Sequence, residues 1–158
     1  MIGSSSMTSD KRRIDTLISG EVEVDEGQII QFVQPLIGFD DLQQFVLLHT
    51  GEGPLYWLQS IERKEAAFAV LAPFQAGLDP EITISGRDAA EIDAQGVEDI
   101  DVYTLMVLDK DPDRIRTNLR APILVARSSN RAKQAVLDDQ RLPVQFFLRD
   151  LLAPIARG

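Results

Sequence analysis

The sequence predicts a mainly β fold: a small antiparallel β-barrel-like or sandwich domain with a few short helices and a C-terminal helical tail. Three observations carry that expectation. Short apolar runs recur between turn residues, the first of them alternates acidic and apolar residues at period two, and the tail departs from this with apolar residues at helical spacing. A chain of 158 residues suits one domain with a sizeable core, and 44% hydrophobic with 26% charged residues lies in the globular range.

Met1-Ile2-Gly3-Ser4-Ser5-Ser6 reads as a tag before a native start at Met7. Residues 1–13 are therefore set apart as a tag or disordered N-terminus, 14–145 as the barrel-like domain and 146–158 as a helical tail. Ile18 and Glu21-Val22-Glu23-Val24-Asp25 predict a half-buried strand with Val22 and Val24 inward. Asp25-Glu26-Gly27 offers a turn, and Gln28 to Val33 predicts the returning strand of a hairpin. Gln34 to Asp41 breaks the pattern, Phe45 to His49 resumes it, and Gly51 to Pro54 is a turn. Leu55–Ile61 and Ala66–Leu71 have strand length, although alanine leaves a helix open for the second.

From Pro73 to Asp101 the chain is less regular. It predicts a brief strand at Ile82-Thr83-Ile84 and a helix over Arg87–Gln95, capped by Ser85 and closed by Gly96. Asp101–Leu108 is the strongest later strand, stopped by Asp109-Lys110-Asp111-Pro112. Two further β segments, Asn118–Val125 and Lys133–Pro143, carry polar and proline residues without a nucleophile, metal box or phosphate loop. Phe147, Leu148, Leu151, Leu152 and Ile155 fall at helical spacing, with Pro154 limiting how far that helix runs.

A net charge of −9 disfavours phosphate backbones and anionic lipid as partners, so no direct nucleic acid and no membrane contact is expected, while a basic protein would be attracted. The absence of cysteine removes thiolate catalysis, disulfides and thiolate zinc sites. His49 is the single histidine, so histidine-based catalysis or metal binding would hang on one residue. The acid pairs Asp40-Asp41, Glu98-Asp99 and Asp138-Asp139 read as solvated, and Asp109–Asp113 lacks the glycine and terminal glutamate of a calcium loop. Lys11-Arg12-Arg13 and Arg127–Lys133 read as solvated basic turns. With no apolar run near the roughly 20 residues of a spanning helix, the expectation is a cytoplasmic protein without cofactor or metal.

These residues, taken in order, resemble the family of flagellar assembly factors called FliW. The resemblance runs from about Leu17 to Pro143. It rests on Gly20–Val24 with Ile29–Phe32, Ile37-Gly38-Phe39-Asp40, Phe45–Leu48, Leu58-Gln59-Ser60, Ala67–Val70 with Pro73-Phe74, Asn118–Ile123, and Gln134–Asp139 with Arg141-Leu142-Pro143. The chain departs from the family pattern in having Leu36-Ile37 before the Gly-Phe turn and Leu142 where an aromatic often stands. The resemblance implies a non-enzymatic regulator, monomeric when free, that binds and antagonises the translational repressor CsrA and also binds flagellin, coupling flagellin synthesis to secretion.

Candidate contact residues are Ile37, Gly38 and Phe39, a glycine turn that either presents an aromatic anchor or folds Phe39 inward as a plug. Phe74 after Pro73 carries the same two readings. Asn118, Arg120, Asp138, Asp139 and Arg141 form either a polar rim or an internal network joining the last strands. Two other classes compete with the regulator: a small-ligand- or carbohydrate-binding β-barrel, which needs a deep pocket with convergent polar groups, and a structural oligomer.

Overall fold

The structure is a computed structural model, and it describes residues 11–49, 51 and 53–150. Eleven strands form a hairpin and a larger sheet: β1 (Lys11–Thr16), β2 (Gly20–Asp25), β3 (Ile30–Phe32), β4 (Gln44–Leu48), β5 (Leu55–Ser60), β6 (Ala67–Leu71), β7 (Ile100–Val107), β8 (Arg116–Thr117), β9 (Ile123–Ala126), β10 (Arg131–Gln134) and β11 (Phe146–Phe147). One helix, α1 (Gly86–Glu91), stands between β6 and β7. Strands β3-β4-β5-β6-β7-β9-β10 close into a seven-stranded barrel, as the mainly β expectation required. Every pair in it is antiparallel except the closing one, where β10 runs parallel to β3.

Period-two alternation sorts side chains between bore and exterior. Ile30, Phe32, Phe45, Leu58, Val70, Ile123 and Val125 fill the bore, with Phe32 and Phe45 edge to face at 5.2 Å. The residues between them face outward and need cover of their own. Val46 is covered by the β1–β2 hairpin through Ile14 and Val24. Ile100, Val102, Leu124 and Ala126 are covered by Ile92, with Ala89, Ile82 and Ile84 alongside. Buried Gln59 locks the hairpin down: its carbonyl oxygen accepts the Leu17 amide at 2.9 Å, and its amide donates to the Lys64 carbonyl at 2.9 Å.

Several expectations are corrected. The acidic strand pairs backward with β1, Lys11 opposite Asp25 and Arg13 opposite Glu23, and not forward with residues 28–33. The basic run supplies the reason, because Lys11, Arg12 and Arg13 ion-pair with Asp25, Glu26 and Glu21 and so form a strand ladder in place of a solvated turn. Glu26–Gln28 becomes a 3-10 turn that carries the chain from hairpin to barrel. The strand ladder thus reaches back to Lys11, into the stretch set apart as 1–13; residues 1–10, where the tag is expected, lie outside the described residues.

Ala67–Leu71 is a strand, its helical option overridden by pairing on both edges. The brief strand expected at Ile82-Thr83-Ile84 does not form: among the described residues the segment pairs with no strand, and both isoleucines pack onto the outside of the barrel. Ser85 caps α1 by accepting the Asp88 amide at 3.0 Å, as expected, but the helix stops at Glu91 and Asp93 turns the chain with φ of 53°. The basic run 127–133 is likewise more than a turn: β10 starts at Arg131, and Lys133 is buried. Phe146 and Phe147, where the tail is expected to begin, pair as a strand with Thr117 and Arg116. A helical turn follows at residues 148–150, and the rest of the expected helix, 151–158, lies outside the described residues.

Candidate functional site

The loop over residues 33–43 closes one end of the barrel. Leu36 and Leu42 are buried there, and Phe39 packs edge-on against Phe68 with ring centroids 4.8 Å apart. Gly38 makes this possible: its φ of +93° lies where a side chain would be strained, and the turn it permits sends Phe39 inward and Ile37 outward. Ile37 is 67% exposed. Of the two readings of this turn, the geometry gives Phe39 the plug position and leaves Ile37 as the apolar side chain offered to solvent. Phe74 is exposed in the turn after buried Pro73, beside a small cleft with Gln75 and Ile100–Tyr103, away from the other candidates.

Asn118, Arg120, Asp139 and Arg141 fall into two local sets of bonds on neighbouring segments. The Asn118 side chain accepts the Arg120 amide at 2.9 Å, and the Arg120 guanidinium donates to the Leu142 carbonyl at 2.8 Å and the Gln140 carbonyl at 3.2 Å. Arg141 holds Asp139 in a fork, Nε to Oδ1 at 2.9 Å and NH2 to Oδ2 at 2.8 Å. Those side-chain bonds, with the Arg141 amide, bring the Asp139 carboxyl down to about 2. Asp138 points elsewhere, exposed to solvent.

Two clefts meet along this segment. The first, about 400 Å³, has an apolar floor of Leu78, Leu119, Leu142 and Phe146 with Asp79, Glu81, Asp139 and Arg141 at its rim. The second, about 600 Å³, lies between residues 83–91 and 133–138. Their linings follow one another along the same two stretches of chain, 78–91 and 133–142, hereafter the groove. The lining of the second cleft holds a charge cluster that composition did not foretell. Lys133 reaches Asp88 at 2.7 Å and Glu91 at 2.5 Å, and Glu91 also takes Arg87 at 3.1 Å. Burial opposes the Lys133 charge, but the bonds to Asp88 and Glu91 outweigh it and raise its pKa; the same Lys133 bond, then that from Arg87, lowers Glu91. The sequence signal was a lysine flanked by alanine and glutamine inside a strand, opposite a helix with acids three residues apart.

The ligand-barrel reading finds less to work with. The bore is filled, and its open mouth is a cleft of about 280 Å³ where Arg127 engages Asp101 at 2.6 Å. His49 has its Nε2 2.8 Å from the Gly53 carbonyl and its ring stacked on Tyr56 at 4.3 Å, and among the described residues it pairs with no carboxylate. Burial, then the Asp101 charge, pushes Tyr103 up to about 12, so it stays a neutral phenol. Among the described residues no three His, Asp or Glu side chains gather as a metal would need, and no helix is long and apolar enough to cross a membrane.

Residues 13–148 match the family model described as FliW protein. The chain is similar to the flagellar assembly factor FliW of Caldicellulosiruptor saccharolyticus, 32% identical over 142 residues that cover 90% of this chain and 93% of the relative. Its counterpart in Syntrophotalea carbinolica is 39% identical over 121 residues, 75% of this chain and 85% of the relative. A crystal structure of the flagellar assembly factor FliW superposes with a TM-score of 0.80 at 28% identity, covering 87% of this chain and 96% of that one.

Proposed function

The chain belongs to the FliW family of flagellar assembly factors, and we propose on that basis that it is a non-enzymatic, cytoplasmic regulator that works by binding proteins. In this reading it holds flagellin and antagonises the translational repressor CsrA, so that flagellin synthesis follows its export. It is a monomer when free, and it touches no nucleic acid itself.

The observation that carries the reading is the groove along 78–91 and 133–142. It combines an apolar floor with an acidic rim on a chain of net charge −9. Such a surface draws a basic, RNA-binding partner while repelling the RNA that partner carries. Ile37, Asp138 and the rim acids Asp79 and Glu81 are the side chains offered for contact, with the Asp139–Arg141 pair beside them at the rim; Phe39 and Arg120 shape the surface from behind.

The test mixes the purified chain with purified, folded CsrA and flagellin and follows binding by calorimetry, with flagellin messenger RNA present in a second series. The expected result is a complex with each protein, and release of RNA from CsrA as the chain is added. Absence of binding to both proteins would leave the proposal without support.

A further inference from the structure

Beside Val136 the barrel wall has an open strand edge. Ala135 and Leu137 donate their amides to Pro122 and Arg120, each at 2.9 Å, so that side of the segment is paired. Alternate residues face the opposite side, where Val33 donates to the Ala132 carbonyl at 2.9 Å. There β3 has already ended, and Gln34-Pro35 leads the chain away, its proline without an amide to give. Among the described residues neither Val136 nor Asp138 makes a backbone hydrogen bond, although both amides face the space β3 vacates.

Two more features fit that space. Val136 at 65% and Ile37 at 67% are the most exposed large hydrophobic side chains among the described residues, and the Ile37 amide lies 3.4 Å from the Gln134 side chain. Across the groove Thr83 is exposed between half-buried Ile82 and Ile84, in a stretch not assigned to any strand. Within the groove, Lys133 and Arg87 are committed to Asp88 and Glu91, whereas Asp138 is exposed and, among the described residues, has no cation at ion-pair distance.

We propose that the free edge at Gln134–Asp138 takes an extended segment of a partner protein as an added strand, its backbone pairing with Val136 and Asp138, an apolar side chain resting on Val136 and Ile37, and a lysine or arginine meeting Asp138. The inference rests on the protein-binding reading above and names how this part of the surface binds. Unpaired edge groups supply the affinity of such a contact, and the side chains beside them supply its selectivity.

The test follows amide hydrogen exchange by NMR in the full chain with three probes: purified CsrA, purified flagellin, and a capped octapeptide of alternating lysine and valine. The expected result is at least tenfold slower exchange at Val136 and Asp138 with at least one probe. Val136→Pro, which removes the outward-facing donor together with the valine side chain beside it, should weaken that binding at least tenfold, and Asp138→Lys should weaken it while leaving the fold intact. Should Val136→Pro fail to fold, the exchange measurement on the unmodified chain decides alone. Binding of CsrA or flagellin without protection of the two amides overturns the added strand and leaves the regulator reading standing. Protection by the octapeptide when neither protein binds keeps the edge as a peptide site and removes the regulator reading. No protection with any of the three overturns the inference.

Discussion

Phe39→Ala separates the plug from the anchor. Truncating a fully buried phenylalanine costs about 3–5 kcal/mol, and Phe39 is half-buried at the closed end of the barrel, so about half of that applies. Its edge-on pair with Phe68 at 4.8 Å adds roughly 0.5–1.5 kcal/mol. The expected loss is about 2–4 kcal/mol, which for a chain of this size lowers Tm by roughly 4–16 °C. Urea unfolding followed by Trp57 fluorescence gives the free energy, and calorimetry against CsrA and flagellin gives the affinity. With the variant still folded at 25 °C, affinity should stay within about twofold of the parent, since 1.4 kcal/mol would be needed for tenfold. Unchanged stability with affinity reduced tenfold would refute the plug and make Phe39 an anchor.

Gln59→Leu leaves the Leu17 amide and the Lys64 carbonyl without their partner, so stability should fall by about 2 kcal/mol; denaturant unfolding measures the loss, and amide exchange in β1 and β2 should speed up first. Lys133→Ala removes the cation that ties α1 to β10, leaving Asp88 and Glu91 facing each other. Amides of α1 should then exchange faster and Tm should drop, whereas Arg87→Ala, which removes an exposed partner of Glu91, should change Tm little. Asp139 is held at about 2 against an ordinary 3.8, so its contribution is full above about pH 4 and is lost as pH falls through about 2. The Tm gap between the parent and Asp139→Asn should accordingly be widest near neutrality and close toward pH 2. A gap that does not narrow between pH 5 and pH 2 contradicts the Arg141 fork.

Much of the barrel was legible because a strand declares itself locally. Phe45–Leu48, Leu55–Ser60, Ala67–Leu71 and Ile100–Val107 all lie within short apolar runs bounded by turn residues, and each became a strand. The Ser85 cap was equally readable, because a side chain and an amide three residues apart settle it. The candidate groove was only half visible. Asp138, Asp139 and Arg141 stood out as charges, but nothing local announced that residues 78–91 would be the opposite wall.

By itself the sequence determined the class, the alternation and the absence of thiol chemistry, since period-two burial and side-chain type are properties of a few neighbouring residues. Tertiary structure alone decided pairing and exposure. The acidic strand joined Lys11–Thr16 because an ion-pair ladder and Gln59 hold it there. β3 found β10 about a hundred positions later because closing the barrel satisfies both edges. The same closure left Val136 and Asp138 open, because β3 ends at Phe32 before the neighbouring wall does. A backbone group is free or paired according to what stands about 5 Å beside it, and that neighbour is chosen by the whole chain.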